Sequence, residues 1–187
     1  MAIASTLTTQ DVIRNGLRVS NASLLDVAFY DVAAYKRMDQ VTKGEQDGLL
    51  VTVLFPKASI ELLTMLELAW WPNYSYNKGY NRSSNVNSKN YTAFDPSKLL
   101  KMNQTLIQLE VYKVVEIFYS TIVTDNANVN EKDLANYKFA AKRFSDEWNK
   151  AKVESFFYDE DSDGTVDNSE ENADVDGAFF DGDRRYF

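Results

Sequence analysis

The chain of 187 residues contains no cysteine and no histidine. Without cysteine there are no disulfides, no thiolate metal ligands and no thiol nucleophile. Without histidine the commonest general base, the usual zinc and iron ligands and every Ser-His-Asp arrangement are missing. No Gly-rich phosphate loop, no HExxH and no GxSxG occurs. Carboxylates, lysines and tyrosines remain, but adjacent carboxylates such as Asp146-Glu147 fall on a charged helix face. The sequence therefore speaks against an enzyme. Glycine and proline are scarce, at 7 and 3, which suits long helices better than a turn-rich sandwich. No unbroken apolar run approaches the length of about eighteen residues that a membrane span needs. No basic stretch leads into an apolar run near Met1, so neither a signal peptide nor a membrane anchor is expected. Lys98, Lys101 and Lys113 are scattered and form no nucleic-acid stripe.

What is present is enough apolar and aromatic material for one domain. The chain is 44% hydrophobic, with 11 Phe, 11 Tyr and 3 Trp. Its net charge of −8 is unevenly placed. Residues 154–187 hold twelve acidic and two basic side chains, a net of −10, which leaves the preceding residues at +2. Such an acidic end repels nucleic acid and attracts cations or basic surfaces.

The periodicity predicts a mainly α fold, a helical bundle of about four to five helices. A short first helix is expected from Gln10 to Val19, capped by Thr9. A second runs from Leu24 to Val41, with Ser23 and Asp26 as a capping-box pair. The β-branched run Leu49–Phe55 fits a buried strand or the start of a buried helix, which periodicity cannot separate, and is read as a strand or extended chain. A helix from Lys57 to Trp71 is expected to stop at Pro72. Residues 73–94 are rich in Asn, Ser and Tyr without apolar period, and read as an inserted loop, either a mobile surface loop or an arm for contacts. Asp95-Pro96 signals the start of a long central helix reaching Val123. Asn130 and Asp133 resemble another cap, opening a last helix to about Phe157. In that helix Leu134, Tyr137, Ala141, Phe144, Trp148 and Ala151 recur at spacings of three and four. The chain thus divides into a helical domain, 1–158, and an extended acidic tail, 159–187.

The tail begins with the sharpest motif, DEDSDGTVDNSE. Asp159, Asp161, Asp163, Asp167 and Glu170 occupy loop positions one, three, five, nine and twelve, with Gly164 sixth and Thr165 seventh. A hard cation needs oxygen ligands converging while the chain turns sharply around it. Alternate Asp carboxylates, the Thr165 carbonyl and a bidentate Glu170 supply them, and glycine permits the bend. The segment resembles the EF-hand and dockerin class of calcium loops, which implies one structural calcium ion held by these residues. The resemblance further implies an entering helix, here ending at Phe156-Phe157-Tyr158. No exiting helix and no second loop follow, so an opening calcium sensor is not expected.

The N-terminal pattern, TTQDVIRNGL then LLDVAFYDVAAYKRM, is weakly similar to tailed-phage head–tail connector or adaptor proteins. Over about forty residues it carries pattern and no diagnostic motif. The resemblance implies a virion structural protein, forming a homo-oligomeric ring and touching neighbouring structural proteins through arms and tails. Neither membrane nor nucleic-acid readout is expected. A soluble, cytoplasmic calcium-binding interaction module is the alternative expectation.

Overall fold

The computed structural model describes residues 18–78, 93–125, 130–153 and 157–165. The expected helix at 10–19 lies outside the described residues except for Arg18 and Val19, which are not helical, and most of the arm and everything beyond Thr165 lie outside them too. Within them the fold is mainly α, with five helices and no strand. These are α1 (Leu24–Tyr30), α2 (Val32–Thr42), α3 (Gln46–Asn77), α4 (Gln104–Asp125) and α5 (Glu131–Ala151). A single 3₁₀ turn, Pro96–Lys98, precedes α4.

Each start has a local chemical reason. Ser23 and Asp26 form the capping box of α1, each satisfying a backbone N–H of the other. The expected single helix from Leu24 to Val41 breaks at Asp31. There the backbone leaves helical geometry and the carboxylate caps the Ala34 N–H at 2.9 Å. Arg143 on α5 holds the same carboxylate at 3.2 Å, so the break is fixed by tertiary structure. Asn130 caps α5 through the Asp133 N–H at 2.7 Å. The helix ends at Ala151, earlier than expected.

Two further expectations are corrected in α3. Leu49–Phe55 is not a strand but part of a continuous helix, with a π turn at Leu50–Leu54. Pro72 does not stop it either. A second π turn, Leu66–Trp70, precedes that proline, and the helix continues to Asn77, into the first residues of the expected arm. A proline inside a helix removes one N–H and crowds the preceding turn. The wider π turn just upstream relieves that crowding and finds other partners for the carbonyls. At 32 residues α3 is long and apolar enough to cross a membrane by length and composition. Half of its apolar window is buried inside the protein, with Leu54, Phe55, Ala58, Leu62 and Leu66 in the core.

The centre of that core is α4. Leu106, Leu109, Val111, Val114, Val115 and Phe118 are all buried, and α3 and α5 pack against it. It begins later than Asp95-Pro96 predicts. That pair starts only the 3₁₀ turn, and Asn103 caps α4 by accepting from the Thr105 N–H at 2.8 Å. Arg143 on α5 reaches the Tyr112 hydroxyl at 2.7 Å, whereas Tyr119 and Asp133 are neighbours seven or more residues further towards the connection. The two helices therefore run antiparallel, and the start of α4 lies beside the end of α5.

One carboxylate is fully buried in this bundle. Glu110 accepts from Arg18 Nε at 2.9 Å, from Ser20 Oγ at 2.5 Å and from the Ser59 hydroxyl. The segment before α1 is thereby tied to α3 and α4 at one point.

Candidate metal centre

The loop after Tyr158 is built from its first residue. Asp159 is 5% exposed and its carboxylate accepts three backbone N–H groups. Ser162 donates at 2.6 Å, Asp163 at 3.2 Å and Gly164 at 2.8 Å. The chain curls around this side chain because Ser162 and Gly164 adopt positive φ, 65° and 94°. Glycine takes that conformation without steric cost, which is why the sixth position calls for it. Asp163 repeats the arrangement, accepting the Thr165 N–H at 2.8 Å and its hydroxyl at 2.7 Å. Burial alone raises the Asp159 carboxyl, but the bonds from Gly164, Ser162 and Asp163 outweigh it and hold the group below its usual range.

The result is a convergent set of oxygens. One ligand atom from each of Asp159, Asp161 and Asp163 lies within 4.8 Å of the others. Two oxygens bound to one calcium ion at about 2.3–2.6 Å are separated by no more than roughly twice that distance. The three carboxylates could therefore hold a metal ion. Thr165 belongs to the same curl, while Asp167 and Glu170 lie outside the described residues.

How the loop is entered differs from the expectation. It does not follow directly from a helix, because α5 ends at Ala151. Tyr158 instead forms an antiparallel bridge with Leu99, flanked by two backbone bonds. Leu100 N–H donates to Phe157 O at 2.8 Å, and Asp159 N–H donates to Lys98 O at 2.9 Å. Next in the chain, Glu160 is fixed at both ends. The Tyr74 hydroxyl donates to its carboxylate at 2.5 Å, and Lys98 Nζ donates to its carbonyl.

Under this bridge lies an aromatic cluster that sequence reasoning missed. Trp70 stacks on Tyr74 at 4.6 Å between ring centroids and meets Phe157 at 4.9 Å. Trp71 lies 5.1 Å from Tyr158, and Phe94 stacks on the same tyrosine at 6.1 Å. Burial pushes the Tyr158 phenol up to about 12, so at neutral pH it stays a neutral wedge beneath the acidic loop. The signal was available as aromatic density in WWPNYSY and FFY, but nothing local pairs segments 80 residues apart. The second proline-tolerant π turn is what carries Trp71 and Tyr74 to this place.

The class these features define is a mainly α protein with an acidic triad mounted on an aromatic anchor. The chain matches no family model, no curated protein and no solved structure.

Proposed function

We propose that this protein is a structural assembly subunit of the head–tail connector or adaptor kind in a tailed-phage virion. In this reading it forms a homo-oligomeric ring and meets neighbouring structural proteins through its arm and acidic tail. The observation that carries it is an apolar patch at the start of the bundle that stays open to water among the described residues. Leu25 and Phe29 on α1 are each 80% exposed, and Val32 at the head of α2 is 54% exposed. Leu25 and Phe29 are four apart on one helix and Val32 lies just past the Asp31 break; large apolar side chains open to water favour burial against another protein surface. They fall in the same stretch that resembles the connectors. The lack of histidine and cysteine supports a role in contacts rather than chemistry. Sedimentation velocity of the wild type and a Phe29→Glu variant tests the proposal. The expected result is a discrete high-order oligomer for the wild type and a smaller species for the variant. A wild type that stays monomeric at high concentration, and never joins a larger particle, overturns it.

The acidic triad favours a second element of the reading. Asp159, Asp161 and Asp163, with Thr165, Asp167 and Glu170, form a single EF-hand-like calcium loop. Its ion acts structurally, as a joint that orders the tail for one protein partner. Alone, without assembly, this describes a calcium-dependent interaction module, the alternative. Calorimetry with calcium should show one site in the wild type and at least tenfold weaker binding in Asp163→Ala, since each carboxylate contributes strongly to affinity. Identical heats from both proteins remove the site.

A further inference from the structure

At the end of the α4–α5 hairpin remote from the acidic loop, a groove of about 540 Å³ opens between α2, α4 and the first turn of α5. Its wall carries Lys36, Arg37, Tyr119, Asn130, Lys132 and Asp133. Tyr119 is only 8% exposed, and its hydroxyl has no hydrogen-bond partner among the described residues. A buried hydroxyl facing a groove without a partner is a donor held ready for an acceptor from outside. Burial, with Asp31 and Asp133 adding to it and Arg37 opposing, keeps this phenol protonated above its ordinary range.

The charge around it is not neutral. Asp133 is the single carboxylate on the wall among the described residues, and it is engaged by Arg37 at 3.4 Å and by Asn130 Nδ2 at 2.8 Å. Asp31 is paired with Arg143. Lys36 and Lys132 are exposed and make no ion pair among the described residues. The N-terminus of the 21-residue α5 opens at the same place, adding its positive dipole end. Two uncommitted cations, a helix N-terminus and a buried donor all favour a carboxylate ligand.

We propose that this groove receives the acidic segment of a second copy, residues 166–187. That segment holds seven acidic and two basic side chains, so its charge complements the groove. A segment of 22 residues extends to about 70 Å, so its own copy could also reach the groove, and the assignment to a neighbour follows from the assembly reading. The loop that launches the segment is bonded to Lys98 and Leu100, just before α4, whereas Tyr119 lies sixteen residues beyond Asn103, about 24 Å at 1.5 Å per residue. Launch point and groove thus sit at opposite ends of the hairpin, and end-to-end copies bring one against the other. Such a head-to-tail contact closes into a ring when the rotation between copies permits it. The inference rests on the assembly reading and names the contact that would make it.

A labelled synthetic peptide of residues 166–187, titrated into the full chain and followed by fluorescence anisotropy, tests this. Saturable binding is expected, weakened more than about tenfold by the double variant K36E/K132E. Tyr119→Phe should weaken it about fivefold, as one hydrogen bond is lost without loss of fold. No binding to the wild type, or binding unchanged by K36E/K132E, overturns the proposal. Sedimentation separates the two readings. Oligomers whose size K36E/K132E leaves unaltered refute the groove contact while assembly stands. A monomeric wild type that still binds the peptide refutes both assembly and the second-copy assignment.

Discussion

Arg18 Nε lies 2.9 Å from Glu110 Oε1 across 92 positions of sequence, and the guanidinium also sits 4.4 Å above the Phe55 ring. The carboxylate is fully buried, and Ser20 and Ser59 donate to it as well. Glu110→Ala leaves a guanidinium and two hydroxyls without their acceptor. It should cost about 3–5 kcal/mol, the usual penalty for breaking a buried pair from one side. Urea unfolding followed by circular dichroism reads this directly. A shift below about 1 kcal/mol would mean that the three donors rescue one another or reach water.

Lys113 gives the alkaline flank of stability a definite sign. Burial lowers its affinity for the proton, but the bonds to Glu61 at 2.9 Å and Glu116 at 3.0 Å more than offset this and raise its pKa. A folded pKa above the unfolded value near 10.4 means the contribution is complete below that pH and fades as pH rises through the folded pKa. Lys113→Met should therefore lose about 1 kcal/mol at pH 8, after discounting for the partly exposed partners. The gap to the wild type should close as pH rises through the raised folded pKa and the wild-type lysine discharges. A gap that stays constant from pH 8 upward contradicts the assignment.

Two glycines should answer to alanine with opposite signs. Gly164 holds φ at +94° in the acidic loop, where an L side chain is strained, so Gly164→Ala should cost about 1–2 kcal/mol of loop order and weaken calcium binding. Gly48 sits in α3 with ordinary helical geometry and nothing within 4 Å of an added Cβ. Gly48→Ala should stabilise by about 0.5–1 kcal/mol. Thermal melts and calcium calorimetry on both variants decide the matter, and equal effects would contradict the loop geometry.

Trp70→Leu probes whether the aromatic cluster sets the acidic loop. The side chain is 1% exposed and touches Tyr74, Phe157 and Tyr158. The variant should lose about 2–4 kcal/mol and most of the near-ultraviolet dichroism, as expected for a large-to-small change in a packed core. Amide exchange at Ser162 and Gly164 should accelerate with it. Loop amides that exchange at the wild-type rate would show that the curl holds itself.

The parts legible in the sequence were those decided by neighbours in the chain. The Ser23–Asp26 box, the Asn130–Asp133 cap and the seam through Phe144, Trp148 and Ala151 all depend on residues a turn apart. So does the DxDxDG spacing, which the structure brings together as the Asp159, Asp161 and Asp163 triad. What stayed hidden was decided across the fold. Asp31 breaks a helix because Arg143, 112 positions away, holds its carboxylate. Asp95-Pro96 makes only a turn because Leu99 is drawn into a bridge with Tyr158. The strand expected at Leu49–Phe55 failed because β-branched residues in a short apolar run fit a buried helix equally well.

The π turns of α3 also explain why its first and last turns escaped a 3.6-residue reading. Leu50, Leu54, Ala58, Leu62, Leu66, Trp70 and Tyr74 are all buried, each four positions after the last. In an unbroken α-helix a strict four-residue stripe drifts by about 40° per step, and would leave the core before it reached Tyr74. Six turns of α-helix take up about 21.6 residues. One extra residue at each π turn brings that close to the 24 positions from Leu50 to Tyr74. The two bulges act as a phase correction for the stripe. Removing one residue inside either of them should restore ordinary winding there and leave the downstream face in place. Removing one between them, within Phe55–Met65, should swing Trp70 and Tyr74 by about 100° away from the acidic loop they support.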